Sequence, residues 1–479
     1  MLFNSIDFAL FFPIVFILYW FITHKNLKLQ NLLIVLVSYI FYGWWDWKFL
    51  SLILFSTLID YLIGIGLKKQ VDVTNRKILL FTSIFINLGF LGVFKYYNFF
   101  IDNFILAFTF FGANIKPNTL NIILPVGISF YTFQTLSYSI DVYKNKIQPT
   151  NDFIAFSAFV CFFPQLVAGP IERASNLLPQ FYKKRFFDYS KAVDGMQLIL
   201  WGLFKKVVIA DNCAQFANII FNDYSNFTGS TLLLGTIFFS FQIYGDFSGY
   251  SDIAIGTSKI LGFNLSKNFN FPYFSKTIPE FWKRWHISLS SWFKDYVYIP
   301  LGGSKNGLFK HIRNTFIIFI VSGFWHGANW TFVVWGFINA LYFLPSLILN
   351  YNKKTIQKQT NDRLNIKEII SIFSTFALIL FSWIFFRSNH ISDALNFIKI
   401  IFSDSLFTMP KFNDSHQAIP IIFIILCFIS MEWISKKHDH VLQILNSKSK
   451  LFRWSFYYIL VITIFIFAGS NQQFIYFQF

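Results

Sequence analysis

Apolar stretches follow one another along almost the whole chain, near residues 6–22, 31–45, 49–66, 78–94, 99–111, 121–140, 153–168, 193–210, 229–262, 314–350, 369–386, 419–434 and 454–470. Polar and basic residues gather in the short gaps between them. Counting the long stretches as hairpins predicts about eleven to thirteen helices, several of them shorter than the ~20 residues that cross a bilayer. A short helix at membrane depth needs protein or a water-filled cavity around its open backbone groups. The pattern therefore predicts non-spanning, re-entrant helices arranged around a central chamber.

Composition agrees with this and excludes alternatives. Of 479 residues, 55% are hydrophobic and only 13% charged, against about one-quarter charged in soluble domains. The class implied is an all-α polytopic membrane protein. The 68 phenylalanines add apolar bulk, and that bias is compatible with an AT-rich genome. A net charge of +17 raises nucleic acid as a partner, but the basic residues sit in clusters between spans. Positive-inside topology and contact with anionic membrane lipids explain such clusters better, so no nucleic acid is expected. Cys161, Cys213 and Cys427 are scattered and form neither a disulfide framework nor a zinc pattern, and no metal site is expected. The N-terminus lacks a basic leader and a small-residue cleavage site, which makes it a retained first span. Without internal repeats or linkers, residues 1–479 read as a single integral domain.

The basic gaps set an orientation. His24, Lys25 and Lys28 follow the first span; Lys68, Lys69, Arg76 and Lys77 follow the third; Lys353, Lys354, Lys358, Arg363 and Lys367 precede a late one. Lys436, Lys437, Lys448, Lys450 and Arg453 flank the last, whereas 112–122 and 404–418 are poor in net positive charge. Both termini are then expected outside and the basic loops inside.

Residues 321–330 read V-S-G-F-W-H-G-A-N-W and place His326 at the end of the apolar run 316–325. An ionisable ring so far from water is by default a functional residue. The plainer alternative is a neutral histidine hydrogen-bonded between helices. Lys305, Lys310 and Arg313 precede the run and Lys353 and Lys354 follow it, so the chain is expected to enter and return from the inner side. Residues 314–325 would form roughly 18 Å of helix, with residues 326–329 as the apex of a re-entrant hairpin. Gly327 and Ala328 are small enough for a tight turn there.

A second constellation lies upstream, T-I-P-E-F-W-K-R-W-H-I-S-L-S-S-W-F-K-D-Y-V-Y-I-P-L-G-G at 277–303. Thr277 and Glu280 form a capping-box pattern with Pro279 in the first turn, so a helix should start at Thr277. Phe281, Trp282, Trp285, Leu289, Trp292, Phe293 and Tyr296 fall on one face of a single amphipathic helix, and Lys283, Arg284, Ser290, Ser291 and Lys294 on the other. A lipid anchor is one reading of it. His286, at the boundary of the faces, gives another, in which it shares a cavity with His326. The loop Gly302-Gly303-Ser304-Lys305-Asn306-Gly307 offers backbone N–H groups and Lys305 to phosphates, but lacks P-loop spacing and reads more simply as a turn. Asp252 fits a helix cap. Asp246 is placed to orient a histidine, to pair with Arg284, or to pack between helices.

Taken together, F-Y-G-W-W (41–45), G-I-S-F-Y-T-F-Q (127–134), F-P-Q-L-V-A-G-P-I (163–171), Y-G-D-F-S-G-Y-S-D (244–252), F-W-K-R-W-H-I-S-L-S-S-W (281–292), Y-I-P-L-G-G (298–303), F-W-H-G-A-N-W (324–330) and the terminal F-I-Y-F-Q-F (474–479) resemble the membrane-bound O-acyltransferases (MBOAT), in the bacterial AlgI/PatA/DltB branch. Each string is common by itself, whereas their order and spacing are specific. The resemblance implies a ring of helices around a catalytic chamber. It matches the family's invariant histidine to His326 and a second polar position, histidine in this branch and asparagine in most eukaryotic members, to His286.

The chemistry so implied is acyl transfer from a thioester to a hydroxyl. It needs a base for the hydroxyl proton, a role suited to neutral His326, and donors to the developing oxyanion, for which His286, Asn329 or a backbone N–H is available. Trp325, Asp246 and Arg284 are supporting candidates, and Lys283 and Lys305 mark a basic inner face where the donor would enter. The expected donor is cytoplasmic acetyl-CoA, a substrate and not a permanently bound cofactor. The acyl group would leave through a bacterial inner membrane to a polysaccharide or to a periplasmic acetyltransferase partner. Peptidoglycan O-acetylation is the first expectation, alginate or another exopolysaccharide the second, and D-alanylation of teichoic acid the third. A transporter or flippase would also explain many spans and a polar cavity. It would not explain two histidines on short helices.

Overall fold

The computed structural model describes residues 1–110, 124–305, 307–349, 365–412, 415–469 and 472–475. The loop at 112–122, Asn306, the basic residues Lys353, Lys354, Lys358 and Arg363, and residues 476–479 lie outside them. Every regular element among the described residues is helical. Five helical stretches are long and apolar enough to cross a membrane: Leu27–Lys69, Val73–Phe110, Trp330–Ile348, Ile366–Arg387 and Ser415–Ser435. Large apolar side chains on them, such as Phe85 and Phe423, face outward, which only a lipid environment makes favourable on this scale. The chain is an all-α, multi-pass membrane protein. By contacts it divides into two compact units, residues 1–196 with 254–266 and residues 197–253 with 267–479.

In the first unit the helices Leu50–Lys69, Val73–Leu91 and Ile128–Tyr143 pack against one another. Gly64 permits the contact, because a Cβ there would lie 2.5 Å from the Tyr138 hydroxyl. A carboxylate, Asp60, is fully buried where the three meet. Its oxygens accept from Ser83 Oγ at 2.5 Å, Ser139 Oγ at 2.8 Å and Asn87 Nδ2 at 2.8 Å. The amide oxygen of Asn87 accepts in turn from Thr135 at 3.0 Å and Ser56 at 3.3 Å. Each helix contributes donors, so burying the carboxylate is compensated by hydrogen bonds.

The second unit contains the elements that carry both histidines. Helices Leu308–His326 and Trp330–Ile348 form an antiparallel hairpin closed by residues 327–329. Their backbones approach closely: a Cβ on Gly323 would meet the Phe332 carbonyl oxygen at 2.2 Å, and one on Gly336 the Phe319 carbonyl oxygen at 2.3 Å. The hairpin and its apex are as expected, but the entering helix is longer. It starts at Leu308, takes in Lys310 and Arg313, and has 19 residues. Its length of about 28 Å replaces the expected half-length segment, because long basic side chains continue a helix beyond the apolar run without penalty.

The amphipathic segment differs more. Thr277 does cap a helix, its hydroxyl accepting from Glu280 N, while the Glu280 carboxylate reaches back to Lys276 N at 2.8 Å. The single helix expected from there is two, Ile278–Arg284 and Ile287–Phe293, broken at Trp285 and His286. His286 has left-handed backbone angles, φ 44° and ψ 54°. Two backbone hydrogen bonds to residues 268–270 replace helical ones there: Asn270 N donates to Arg284 O at 2.9 Å, and Ile287 N to Asn268 O at 2.8 Å. Helical periodicity cannot reveal such a competitor, which comes from elsewhere in the chain.

Candidate active site

Left-handed backbone at a side chain other than glycine is strained and persists only where the surroundings determine it. At His286 they do. The ring is 1% exposed, packed edge-on against Phe247 at 4.5 Å and over Phe269 at 6.4 Å. Nδ1 lies 3.0 Å from Asn268 Oδ1. Asn268 is itself fully buried, its Nδ2 donating to Ser251 Oγ at 3.1 Å. Ser288 N and Ser288 Oγ donate to the same Oδ1 at 3.3 and 2.9 Å.

His326 ends the Leu308–His326 helix and is 7% exposed. Its ring stands edge-on to Trp325 at 4.9 Å, Trp335 at 5.3 Å and Phe386 at 5.3 Å. Gly327 follows because a side chain there would overlap the Phe332 ring. Trp325 also faces His286, with ring centres 6.3 Å apart, so its indole packs against both imidazoles. His286 lies on a short element outside the five spans. Burial, reinforced by the nearby His326, holds its pKa well below the usual histidine value, which keeps the ring neutral near pH 7.

Both histidines line one cavity of about 480 Å³. One stripe of the Leu308–His326 helix runs along it: His311, Thr315, Ile318, Phe319, Ser322 and His326, at the three- and four-residue spacing of a helical face. From His311 to His326 is fifteen residues, about 22 Å along the axis. Opposite lie Trp282, Lys283, Trp285, Ser290, Ser291 and Lys294. The cavity is thus long and mostly apolar, with the histidine pair at one end of the stripe and His311 at the other. Lys283 and Lys294 are exposed and add basic character to its walls.

Other expected residues lie elsewhere. Asn329 caps the Trp330–Ile348 helix, accepting from Thr331 N at 3.0 Å, and its amide ties the turn to the segment after the Ile366–Arg387 helix by donating to the Asn389 carbonyl at 2.8 Å. Arg284 pairs with Glu280 at 2.6 Å and not with Asp246. Asp246 binds Lys206 at 2.7 Å, and Lys206 binds Asp211 at 2.8 Å. The second Asp246 oxygen accepts from Ile475 N at 2.7 Å, and the Phe474 ring lies under the Lys206 ammonium. Asp246 therefore anchors the C-terminal segment and touches neither histidine, although the next residue, Phe247, packs on His286. Asp252 pairs with Lys205 at 2.6 Å. Lys305 does not line the cavity. Its loop is a turn whose carbonyls at Leu301 and Gly303 accept from Asn314. Asn268, Lys294 and His311 were not expected. Asn268 lies in a polar stretch with no periodicity, whereas Lys294 lies inside the amphipathic segment and His311 between Lys310 and Arg313.

Helical architecture, a buried histidine pair and a long apolar cavity define a membrane enzyme, and the family model described as MBOAT, membrane-bound O-acyltransferase family, matches residues 146–387. The chain belongs to that family and is an O-acyltransferase. It is 37% identical over 418 residues to the probable alginate O-acetylase AlgI of Pseudomonas aeruginosa, covering 87% of this chain and 78% of that one. To the peptidoglycan O-acetyltransferase of Helicobacter pylori it is 32% identical over 526 residues, covering 100% of this chain and 98% of that one. A teichoic acid D-alanyltransferase of Bacillus subtilis is 28% identical over 283 residues, 56% of this chain.

Proposed function

We propose that the protein is a bacterial inner-membrane O-acetyltransferase that takes acetyl from cytoplasmic acetyl-CoA for O-acetylation of an extracytoplasmic polysaccharide, with peptidoglycan as the acceptor and a periplasmic partner completing the transfer. The observation that carries the reading is the shape of the cavity. A pantetheine arm is long, narrow and weakly polar, and the cavity offers an apolar length of about 22 Å ending at two buried histidines. Lys283 and Lys294 on its walls supply positive character for the donor's phosphates. Lys283 is proposed as a donor-entry residue, and Lys294 takes the role expected of Lys305. The positive-inside rule assigns the end bearing Lys310 and Arg313 to the cytoplasm.

In the transfer, the acceptor hydroxyl oxygen attacks the acetyl carbonyl carbon while neutral His326 takes the hydroxyl proton. The C–O bond forms, the C–S bond breaks, and the proton passes from His326 to the departing thiolate. Peptidoglycan is preferred because the relative acting on it aligns along its whole length. Alginate or another exopolysaccharide is the second reading, favoured by the higher identity to the alginate enzyme. Membranes containing the protein should transfer label from acetyl-CoA to peptidoglycan, and His326→Ala should reduce transfer by about 10²–10⁴-fold. Wild-type transfer by His326→Ala would overturn the assignment of the base, and label found in exopolysaccharide would replace the acceptor.

A further inference from the structure

The tautomer of His286 follows from its neighbours. Asn268 Oδ1 and Nδ2 are not interchangeable here, because the Ser288 backbone N–H can only donate and lies 3.3 Å from Oδ1. The Ser288 hydroxyl at 2.9 Å and the Nδ2 contact to Ser251 at 3.1 Å agree with that orientation. An amide oxygen only accepts. The His286 nitrogen 3.0 Å from it must therefore carry the hydrogen, so the neutral ring is the Nδ1–H form with its lone pair on Nε2. The left-handed backbone at His286 and the Ile287 N to Asn268 O hydrogen bond at 2.8 Å hold ring and amide in register.

We infer that Asn268 is a positioning residue that fixes His286 as the Nδ1–H tautomer, so that His286 enters the acyl transfer as a hydrogen-bond acceptor through Nε2 and not as an oxyanion donor. The tautomer stands on the geometry alone, whereas its part in the reaction rests on the function proposed above. A neutral Nε2 has no proton to give a developing oxyanion, so that contact must come from another group. An acceptor serves the opposite side of the reaction. Once His326 has taken the hydroxyl proton it is a cation with two N–H donors, and a lone pair on the other histidine of the same cavity stabilises it until the proton passes to the thiolate. Asn268 thus has the place that an orienting carboxylate or carbonyl has behind other histidines whose free nitrogen does the work.

The test uses the full chain in nanodiscs with ¹⁵N-labelled histidine, His286 being assigned by the signal lost in His286→Gln. The wild-type protein should show His286 as Nδ1–H, and Asn268→Leu should lose that preference. Asn268→Asp, nearly isosteric, should keep the Nδ1–H form and stabilise the charged ring. The acidic limb of the pH profile of transfer should then move up by about one unit or more. An Nε2–H tautomer in the wild-type protein, or a folded Asn268→Asp protein with an unmoved acidic limb, would overturn the inference. If the wild-type chain transfers no acetyl at all, the proposed function fails while the NMR measurement still decides the tautomer.

Discussion

Two buried polar clusters, one in each unit, show opposite ways of placing polarity inside an apolar protein. Around Asp60 the donors come from side chains on two further helices, and the amide of Asn87 is engaged at both ends. Such closure binds helices together and leaves nothing to react, the usual state of buried polar groups. Around His286 the Nδ1 edge is committed to Asn268, and the ring borders a cavity shared with His326. There the hydrogen bond sets a protonation pattern. Burial is common to the two clusters, and what differs is the adjoining space and the division of donors and acceptors.

The largest effect that would test this contrast is expected at Asp60. Asp60→Ala strands three buried donors at about 1–3 kcal/mol each, and should lower the thermal unfolding temperature strongly in detergent. His326→Ala should lower that temperature less, while reducing transfer by about 10²–10⁴-fold. If the two variants exchanged behaviours, the contrast would be wrong. A smaller loss is expected from Gly323→Ala, whose new methyl would lie 2.2 Å from the Phe332 carbonyl oxygen. Parting the hairpin to admit it should cost about 1–3 kcal/mol and weaken transfer by displacing His326, which a denaturation series beside an activity assay would show. The smallest effect concerns pH. The folded state holds His286 below its ordinary value of 6.5, so the unfolded chain binds more protons as pH falls below about 6.5, and stability falls with it. The slope of unfolding temperature against pH on the acid side should flatten in His286→Gln; an unchanged slope would mean that another group is responsible.

Much of this was legible in the linear sequence. The alternation of apolar spans and basic gaps announced an all-helical membrane protein, because backbone satisfaction in lipid permits little else. The apex at His326 was equally readable, since Gly327-Ala328-Asn329 interrupts two apolar helices with small and capping residues. The start of a helix at Thr277 followed from its local capping chemistry. Local signals also misled where they met a distant competitor: the 277–296 segment has the periodicity of one helix, and the 268–270 segment breaks it at His286.

By itself the sequence therefore established the class of protein, the hairpin and the burial of His326 at its apex, because these follow from periodicity, capping and the position of an ionisable ring at the end of an apolar run. Only the tertiary structure decided what each histidine meets. Asn268 lies eighteen residues from His286 and Asp246 holds the backbone of Ile475 across 229 residues, and neither pairing is marked by any local pattern. Hydrogen-bond partners over such separations are selected by the packing of whole helices, and it is those partners that decide which nitrogen carries a proton.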